Sequence, residues 1–187
     1  MKLLFIILTV LSSFLAKLEK NTFEAEYVAT VEEEAGSPMN YPGSITMHGR
    51  QFLLSISGTN AAYDGKTMYM YSEDTDELTL TNPTDEELVD SNPLLFAQQM
   101  ANECTVTERT SNDGQQTIIT LTPKDPSTSI KRFVLRVRNA DLTPVQAEVK
   151  EEKAVSRIVF NHPAFITTAP SFIIEPLETT FVNDLRF

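Results

Sequence analysis

The sequence has few of the residues from which catalytic and metal sites are built. It contains one cysteine, Cys104, and two histidines, His48 and His162, which lie far apart in the chain. A single cysteine cannot form an internal disulfide, and no cluster of histidine, cysteine or carboxylate has metal-ligand spacing. The Gly-x-Ser-x-Gly elbow of lipases is also missing. We therefore predict no catalytic residue, no metal and no cofactor, and a hydrolase that uses His162 is the enzymatic alternative.

Positive charge is scarce as well. The chain has 15 lysines and arginines against 26 aspartates and glutamates, a formal net charge of −11 and a pI of about 4.6. This balance argues against nucleic acid and against anionic lipid surfaces, because both attract basic patches. The acidic runs at 32–34, 73–77 and 85–87 fall at predicted turns, where solvated charge is the common explanation. Calcium binding at Asp74 and Asp76 is the alternative for one of them.

Long apolar runs are limited to the N-terminus. Residues 3–11 are uncharged and mostly apolar, which is too short for a membrane span of about 20 residues. One lysine precedes this run and Ser12 and Ser13 follow it, a pattern typical of a secretory signal peptide. We predict a signal at residues 1–13, cut after Ser12 or Ser13, and one domain at 14–187. The alternative is an amphipathic first helix, with apolar positions at Leu4, Ile7, Leu8, Leu11, Leu15 and Leu18.

Most of the remaining chain alternates apolar and polar residues with the period of two that indicates half-buried strands. In the first such segment Phe23, Ala25 and Tyr27 share one face while Glu24 and Glu26 share the other. This number of strands excludes an α/β fold and predicts a mainly β (α+β) domain. The predicted strands are 23–33, 44–48, 50–57, 61–63, 67–71, 77–81, 105–110, 117–123, 130–138, 145–151, 154–160 and a short one near Ile173.

Turn and cap signals set the connections. Asp64-Gly65 and Asp113-Gly114 are typical of tight hairpins, so neighbouring strands should run antiparallel. The stretch 83–103 lacks strand alternation and predicts two short helices. Thr84 with Glu87 has the pattern of a capping box for the first, and Asn92 before Pro93 can begin the second.

A sheet of about eleven strands with so few helices has more apolar surface than the helices can fill. We therefore interpret the inward face as the wall of an apolar cavity, for which methionine is suited because it adapts to irregular shapes. An ordinary filled sandwich core is the alternative. The predicted wall residues are Phe52, Leu54, Ile56, Met68, Met70, Leu78, Leu80, Phe133, Leu135 and Val137, and the predicted lid residues are Leu88, Leu94, Leu95, Phe96 and Met100.

The order of several motifs resembles a known family. The segments "GSITMHGRQFLLSISG", "YDGKTMYMYSEDTDELTLTN", "NPLLFA", "TIITLTPKDPSTSIKRFVLRVRNADLTPVQAEVKE" and "FIIEPLETTFVNDLR" follow one another as in the outer-membrane lipoprotein carrier protein (LolA) family. The resemblance is collinear from about Phe23 to Arg186. It rests on the order and spacing of the motifs, since no single motif is strongly specific.

The resemblance implies an unclosed antiparallel β half-barrel whose concave apolar face is covered by short helices. It also implies a monomeric periplasmic chaperone that takes lipoproteins from an ABC-type releasing complex in the inner membrane. Such a carrier shields the acyl chains and delivers the lipoprotein to an acceptor at the outer membrane. The alternatives are a generic periplasmic lipid- or glycolipid-binding protein, or a lipoprotein-sensing regulatory module of the same fold.

The sequence departs from the family pattern before the third predicted strand. Family members often carry Arg-Pro there, and that arginine is linked to holding the lid closed. Here the dipeptide is Gly49-Arg50, preceded by His48. A shift of one position on a strand turns a side chain to the opposite face, which argues against Arg50 holding the lid.

Overall fold

The computed structural model describes residues 9–168 and 170–186 and consists of one large sheet with three short helices. The helices are α1 (Val10–Lys20), α2 (Asp85–Ser91) and α3 (Pro93–Met100). The strands are β1 (Thr22–Glu33), β2 (Met39–His48), β3 (Gln51–Ile56), β4 (Thr59–Tyr63), β5 (Met68–Ser72), β6 (Glu77–Thr81), β7 (Cys104–Thr110), β8 (Gln116–Pro123), β9 (Arg132–Arg138), β10 (Pro144–Lys150), β11 (Ala154–Ile166) and β12 (Phe181–Asp184).

The twelve strands form a single open sheet in the order β12-β6-β5-β4-β3-β2-β1-β11-β10-β9-β8-β7. Consecutive strands pair antiparallel within β1–β6 and within β7–β11, as the turn signals predict, and β1 joins the two runs by pairing antiparallel with β11. The exception is β12, which runs parallel to β6. The short strand predicted near Ile173 is wrong: the last strand lies at Phe181–Asp184, and Ile173 belongs to a segment without regular secondary structure outside the sheet.

The three helices lie on one face of the sheet and bury the main core against it. Phe14 and Leu18 of α1 and Phe23 of β1 are fully buried in this core, while Glu24 and Glu26 point to solvent from the opposite face. The alternation in the sequence therefore predicted the buried face of β1 correctly. Burial of each such large side chain contributes about 1.5 to 3 kcal/mol.

The predicted helix caps are confirmed. Thr84 accepts a hydrogen bond from the backbone N–H of Glu87, whose carboxylate accepts one from the N–H of Thr84, which completes the capping box of α2. The Asn92 side chain caps α3 by accepting from the N–H of Leu94 at 3.1 Å. Capping satisfies N–H groups that a helix leaves unpaired.

Helix α1 spans the predicted signal-peptide cut. Leu11, before the cut, and Phe14, after it, are both buried in the core, and the Glu108 carboxylate of β7 accepts hydrogen bonds from the N–H groups of Val10 and Leu11. Of the positions in the amphipathic alternative, Leu11, Leu15 and Leu18 face the core as expected. Leu4, Ile7 and Leu8 fall outside the described residues, and the cut itself stays a prediction.

The opposite face of the sheet carries a second, smaller apolar cluster. Ala62, Tyr69, Leu78 and Leu80 are buried there, and Ile174 of the segment that follows β11 packs over them. The Asp76 carboxylate in the β5–β6 turn accepts hydrogen bonds from the hydroxyls of Thr179 and Thr180. The C-terminal segment is thus fastened across this face before β12 joins the sheet edge.

Candidate functional site

An apolar cavity lies between the sheet and the junction of α2 and α3. Its volume is about 180 Å³ and it opens to solvent. Strands β1, β2, β3, β10 and β11 form the wall, and the α2–α3 junction forms the cover. The lining residues are Tyr27, Ala29, Val31, Tyr41, Ile45, Leu54, Ile56, Ser91, Asn92, Pro93, Leu94, Ala147, Ser156, Ile158 and Phe160.

Tyr27 and Asn92, two of the polar side chains that line the cavity, have hydrogen-bond partners within the protein. The Tyr27 hydroxyl donates to the Ser55 carbonyl oxygen at 3.2 Å, and burial raises the pKa of Tyr27 to about 12. Gly43 lies against the Tyr27 ring, where a Cβ would clash with both the ring and the Ser55 carbonyl. The buried Asn92 amide is used by the cap of α3. These two side chains therefore stay paired when alkyl groups fill the cavity.

The structure brings part of the predicted wall to this cavity. Leu54 and Ile56 line it and are only partly buried. Phe52 and Met68 face the same side of the sheet but are buried in the filled core. The three predicted residues of β9, Phe133, Leu135 and Val137, are fully buried beneath the helices as well. One face of the sheet thus contains both a packed core and an open cavity.

Three of the predicted wall residues lie elsewhere. Leu78 and Leu80 are on the opposite face, because the register of β5 with β6 pairs them with Tyr71 and Tyr69 instead of with a methionine. Directly paired residues of antiparallel strands share a face. Met70 shares the face of Met68 but is 39% exposed, away from the helices.

The predicted lid residues cover the sheet. Leu94 lines the cavity, while Leu88, Leu95 and Phe96 are buried in the core. The ring centroids of Phe96 and Phe133 are 5.5 Å apart, so α3 packs directly on β9. Met100 is half-buried and borders a second cavity of about 280 Å³, between the two lid helices and residues 128–130.

The sequence prediction did not include the wall residues that β1 and β2 contribute. Tyr27, Ala29, Tyr41 and Ile45 all line the cavity. The alternation of β1 shows which of its residues point inward. Its central position in the sheet depends on the pairing with β11, which no local pattern indicates.

Arg50 reaches the lid, contrary to the expectation from its offset. It lies in the turn between β2 and β3, after Gly49 with φ of 56°, and its guanidinium forms an ion pair with Asp85, the first residue of α2. The strand rule used in the prediction does not apply because Arg50 is outside the strand. A second polar contact joins α3 to α1, from Gln98 to Glu19. Both contacts are exposed.

The described residues show no group of three or more side chains that could hold a metal ion. The Asp76 carboxylate, an alternative calcium ligand, is occupied by Thr179, Thr180 and Tyr71. Within residues 9–168 and 170–186, no helix has the length and apolar character needed to cross a membrane.

Known structures provide a comparison for this fold. An uncharacterized conserved protein from Thermus thermophilus matches with a TM-score of 0.62 at 11% identity, covering 93% of this chain and 96% of that one. The chain therefore shares its fold with that protein. A LolA superfamily protein from Nitrosomonas europaea matches at 11% identity with a TM-score of 0.47, covering 90% of this chain and 100% of that one.

A DUF1329 family protein from Desulfovibrio piger also matches, at 12% identity with a TM-score of 0.47, covering 86% of this chain and 92% of that one. No family model and no curated protein sequence matches the chain. At 11% identity the match to the Thermus thermophilus protein shows a shared fold alone.

Proposed function

We propose that this protein is a periplasmic carrier that shields the acyl chains of lipoproteins between the inner and the outer membrane. The observation that carries the proposal is the open, mainly apolar cavity under the α2–α3 lid. The resemblance of the sequence to LolA supports the same function. The inner-membrane releasing complex and the outer-membrane acceptor are the partners that this function requires.

The size of the cavity indicates that the lid has to move. Pockets that hold drug-sized ligands measure about 300 to 1,000 Å³, whereas this one measures about 180 Å³. It therefore accepts only the end of an acyl chain while α2 and α3 stay in place. Displacement of the lid would open the packed core between α3 and β9, which could then accept the rest of the acyl chain.

The free energy needed to expose the lid residues is comparable to the free energy gained by burying one acyl chain. Exposing the four buried lid residues Leu88, Leu94, Leu95 and Phe96 would cost roughly 6 to 12 kcal/mol at about 1.5 to 3 kcal/mol each. One acyl chain of about 16 carbons gains on the order of 10 kcal/mol by leaving water, at about 0.8 kcal/mol per CH₂. An exchange of lid contacts for acyl contacts is therefore close to balanced, which a carrier needs in order to both load and release.

The test is binding of a fluorescent acylated lipopeptide, compared with the same peptide without acyl chains. We expect only the acylated form to bind. Ala147→Leu places extra side-chain volume in the cavity and should weaken binding, whereas Ala140→Leu, at an exposed turn, serves as the matched control. Equal binding of both peptides, or equal binding by both variants, would contradict the proposal. Binding of free fatty acid or phospholipid in place of the lipopeptide would favour the generic lipid-binding alternative.

A further inference from the structure

The outer face of β7–β11, opposite to the helices, is basic in a strongly acidic protein. Nine of the 15 lysines and arginines lie between residues 105 and 160, together with seven acids, so this segment is net positive while the whole chain is at −11. Six of these cations extend from the outer face of the five strands. The basic face is defined by Arg109, Arg132, Arg136, Arg138, Lys150 and Arg157.

The strand register places these cations side by side. Ile118 of β8 pairs with Arg109 of β7 on one side and with Arg136 of β9 on the other. Ile118 is only 6% exposed although the helices cover the other face of the sheet. We attribute this burial to the alkyl stems of the two flanking arginines, which can cover apolar surface while their charged ends stay in solvent.

Three of the six cations, Arg109, Arg136 and Lys150, form no ion pair with a described residue, whereas Arg132, Arg138 and Arg157 each have a carboxylate partner. Arg132 and Lys150 pair directly across β9 and β10, and like charges in that position destabilise a sheet. The Nε atom of Arg136 is buried and has no acceptor. Arg109 and Lys150 form no ion pair with any residue that the structure describes. The Glu148 carboxylate serves both Arg132 and Arg157.

We propose that the basic face docks on the surface of a membrane that contains anionic phospholipids, with the free guanidinium and ammonium groups contacting lipid phosphates. Its cations are spread over four of the five strands and over four rows, an area of roughly 20 Å in each direction. A two-dimensional array of this kind fits several phosphates of a lipid surface better than it fits a single acidic peptide strand. Arginine in particular binds phosphate through paired N–H donors.

The overall charge of −11 does not oppose this docking. The charge is unevenly distributed along the sequence, because 16 of the 26 acids lie before residue 105. Charges separated by more than a Debye length of about 10 Å are largely screened at 0.1 M salt. On the same side of the sheet, Glu24, Glu26 and Glu32 of β1 lie next to β11, and Glu32 is 3.9 Å from Arg157. The docking therefore has to be made mainly by the cations of β7, β9 and β10.

The proposal does not rest on the carrier function. The basic face and the acyl-chain cavity are on opposite faces of the sheet, so a protein that binds no lipopeptide could still dock, and a carrier could fail to dock. The probe is sedimentation with vesicles of phosphatidylcholine alone or of phosphatidylcholine with phosphatidylglycerol. We expect binding only to the mixture, with an affinity that falls as salt is raised.

Neutralising cations of the basic face should reduce the affinity for the mixed vesicles by a predictable factor. A cation near an anionic surface contributes a factor of about five in affinity, so Arg109→Gln with Lys150→Gln should bind roughly 25-fold more weakly. The matched control is Lys20→Gln with Lys66→Gln, which removes the same charge from exposed sites outside the basic face and should change binding less than about twofold by the same rule.

Three results would overturn the proposal. The first is the absence of binding to the mixed vesicles, and the second is an equal loss in both double variants. The third is binding of a polyglutamate peptide at the basic face with no binding to vesicles, which would assign the face to an acidic protein partner. Because Arg109 and Lys150 are exposed, we expect both variants to fold. Circular dichroism of each variant checks that a loss of binding is not caused by a loss of fold.

Discussion

Replacing Leu54 by alanine should destabilise the protein less than the same replacement at Leu135. Both leucines are on the face of the sheet that the helices cover, but Leu54 borders the open cavity and is partly buried, whereas Leu135 is fully buried in the packed core. The pair therefore compares a cavity wall with a filled core at constant chemistry.

The expected magnitudes follow from what each side chain contacts. Leu135→Ala leaves a new void and should cost about 2 to 5 kcal/mol, because loss of burial and cavity formation add. Leu54→Ala only enlarges an existing cavity. Because the Leu54 side chain is partly buried, it contributes only part of the full burial energy of about 1.5 to 3 kcal/mol, so we expect a loss of stability of about 1.5 kcal/mol or less.

The assay is urea denaturation of both variants and the unchanged protein, monitored by circular dichroism. The free energies of unfolding should differ between the variants while the slope with urea stays constant, because the slope reports the surface exposed on unfolding. Equal losses for Leu54→Ala and Leu135→Ala would refute the reasoning, since Leu54 would then belong to a closed core and the cavity would not be open in solution.

Three further predictions concern polar groups. Burial raises the pKa of Tyr27 from 10 to about 12, so Tyr27→Phe should remove one tyrosine that titrates at about pH 12 in ultraviolet absorbance. In the unchanged protein, the contribution of Tyr27 to stability should be lost as the pH rises from about 10 to 12. The hydroxyls of Thr179 and Thr180 lower the pKa of Asp76, so protease cleavage of the C-terminal segment should increase as the pH falls below the ordinary aspartate value of about 3.9, and Asp76→Asn should show faster cleavage at neutral pH. Arg50→Gln should cost at most about 1 kcal/mol in stability, since its ion pair is exposed, but should speed hydrogen exchange in α2, which a purely superficial pair would leave unchanged.

The sequence predicted the local structure better than the arrangement of strands. The capping box at Thr84 and the start of α3 after Asn92 were recognisable because caps depend on residues within one turn. The inward faces of β1, β3 and β9 were recognisable because alternation is local too. The face of Leu78 was not, since it depends on how the turn between β5 and β6 sets the register.

At the candidate site, too, the features set by local sequence were predicted and those set by strand pairing were not. Leu54 and Leu94 were predicted and do line the cavity, whereas Tyr27 and Ile45 were not predicted, because the central place of β1 and β2 results from pairing between β1 and β11 across most of the chain. The C-terminal β12 was missed for a related reason. Four residues that pair in parallel with a distant strand have no turn signal between them.

The central claim is that acyl chains bind in the cavity between the sheet and the α2–α3 lid. It is tested most directly by a photo-crosslinking amino acid placed at Leu54, with Leu53 as control. These neighbours on β3 point to opposite faces, Leu54 into the cavity and Leu53 to the outer cluster. After irradiation in the native cells and mass spectrometry, we predict crosslinks to lipoprotein acyl chains at Leu54 and none at Leu53. Crosslinks that are absent at Leu54, or equally frequent at both positions, would contradict the claim.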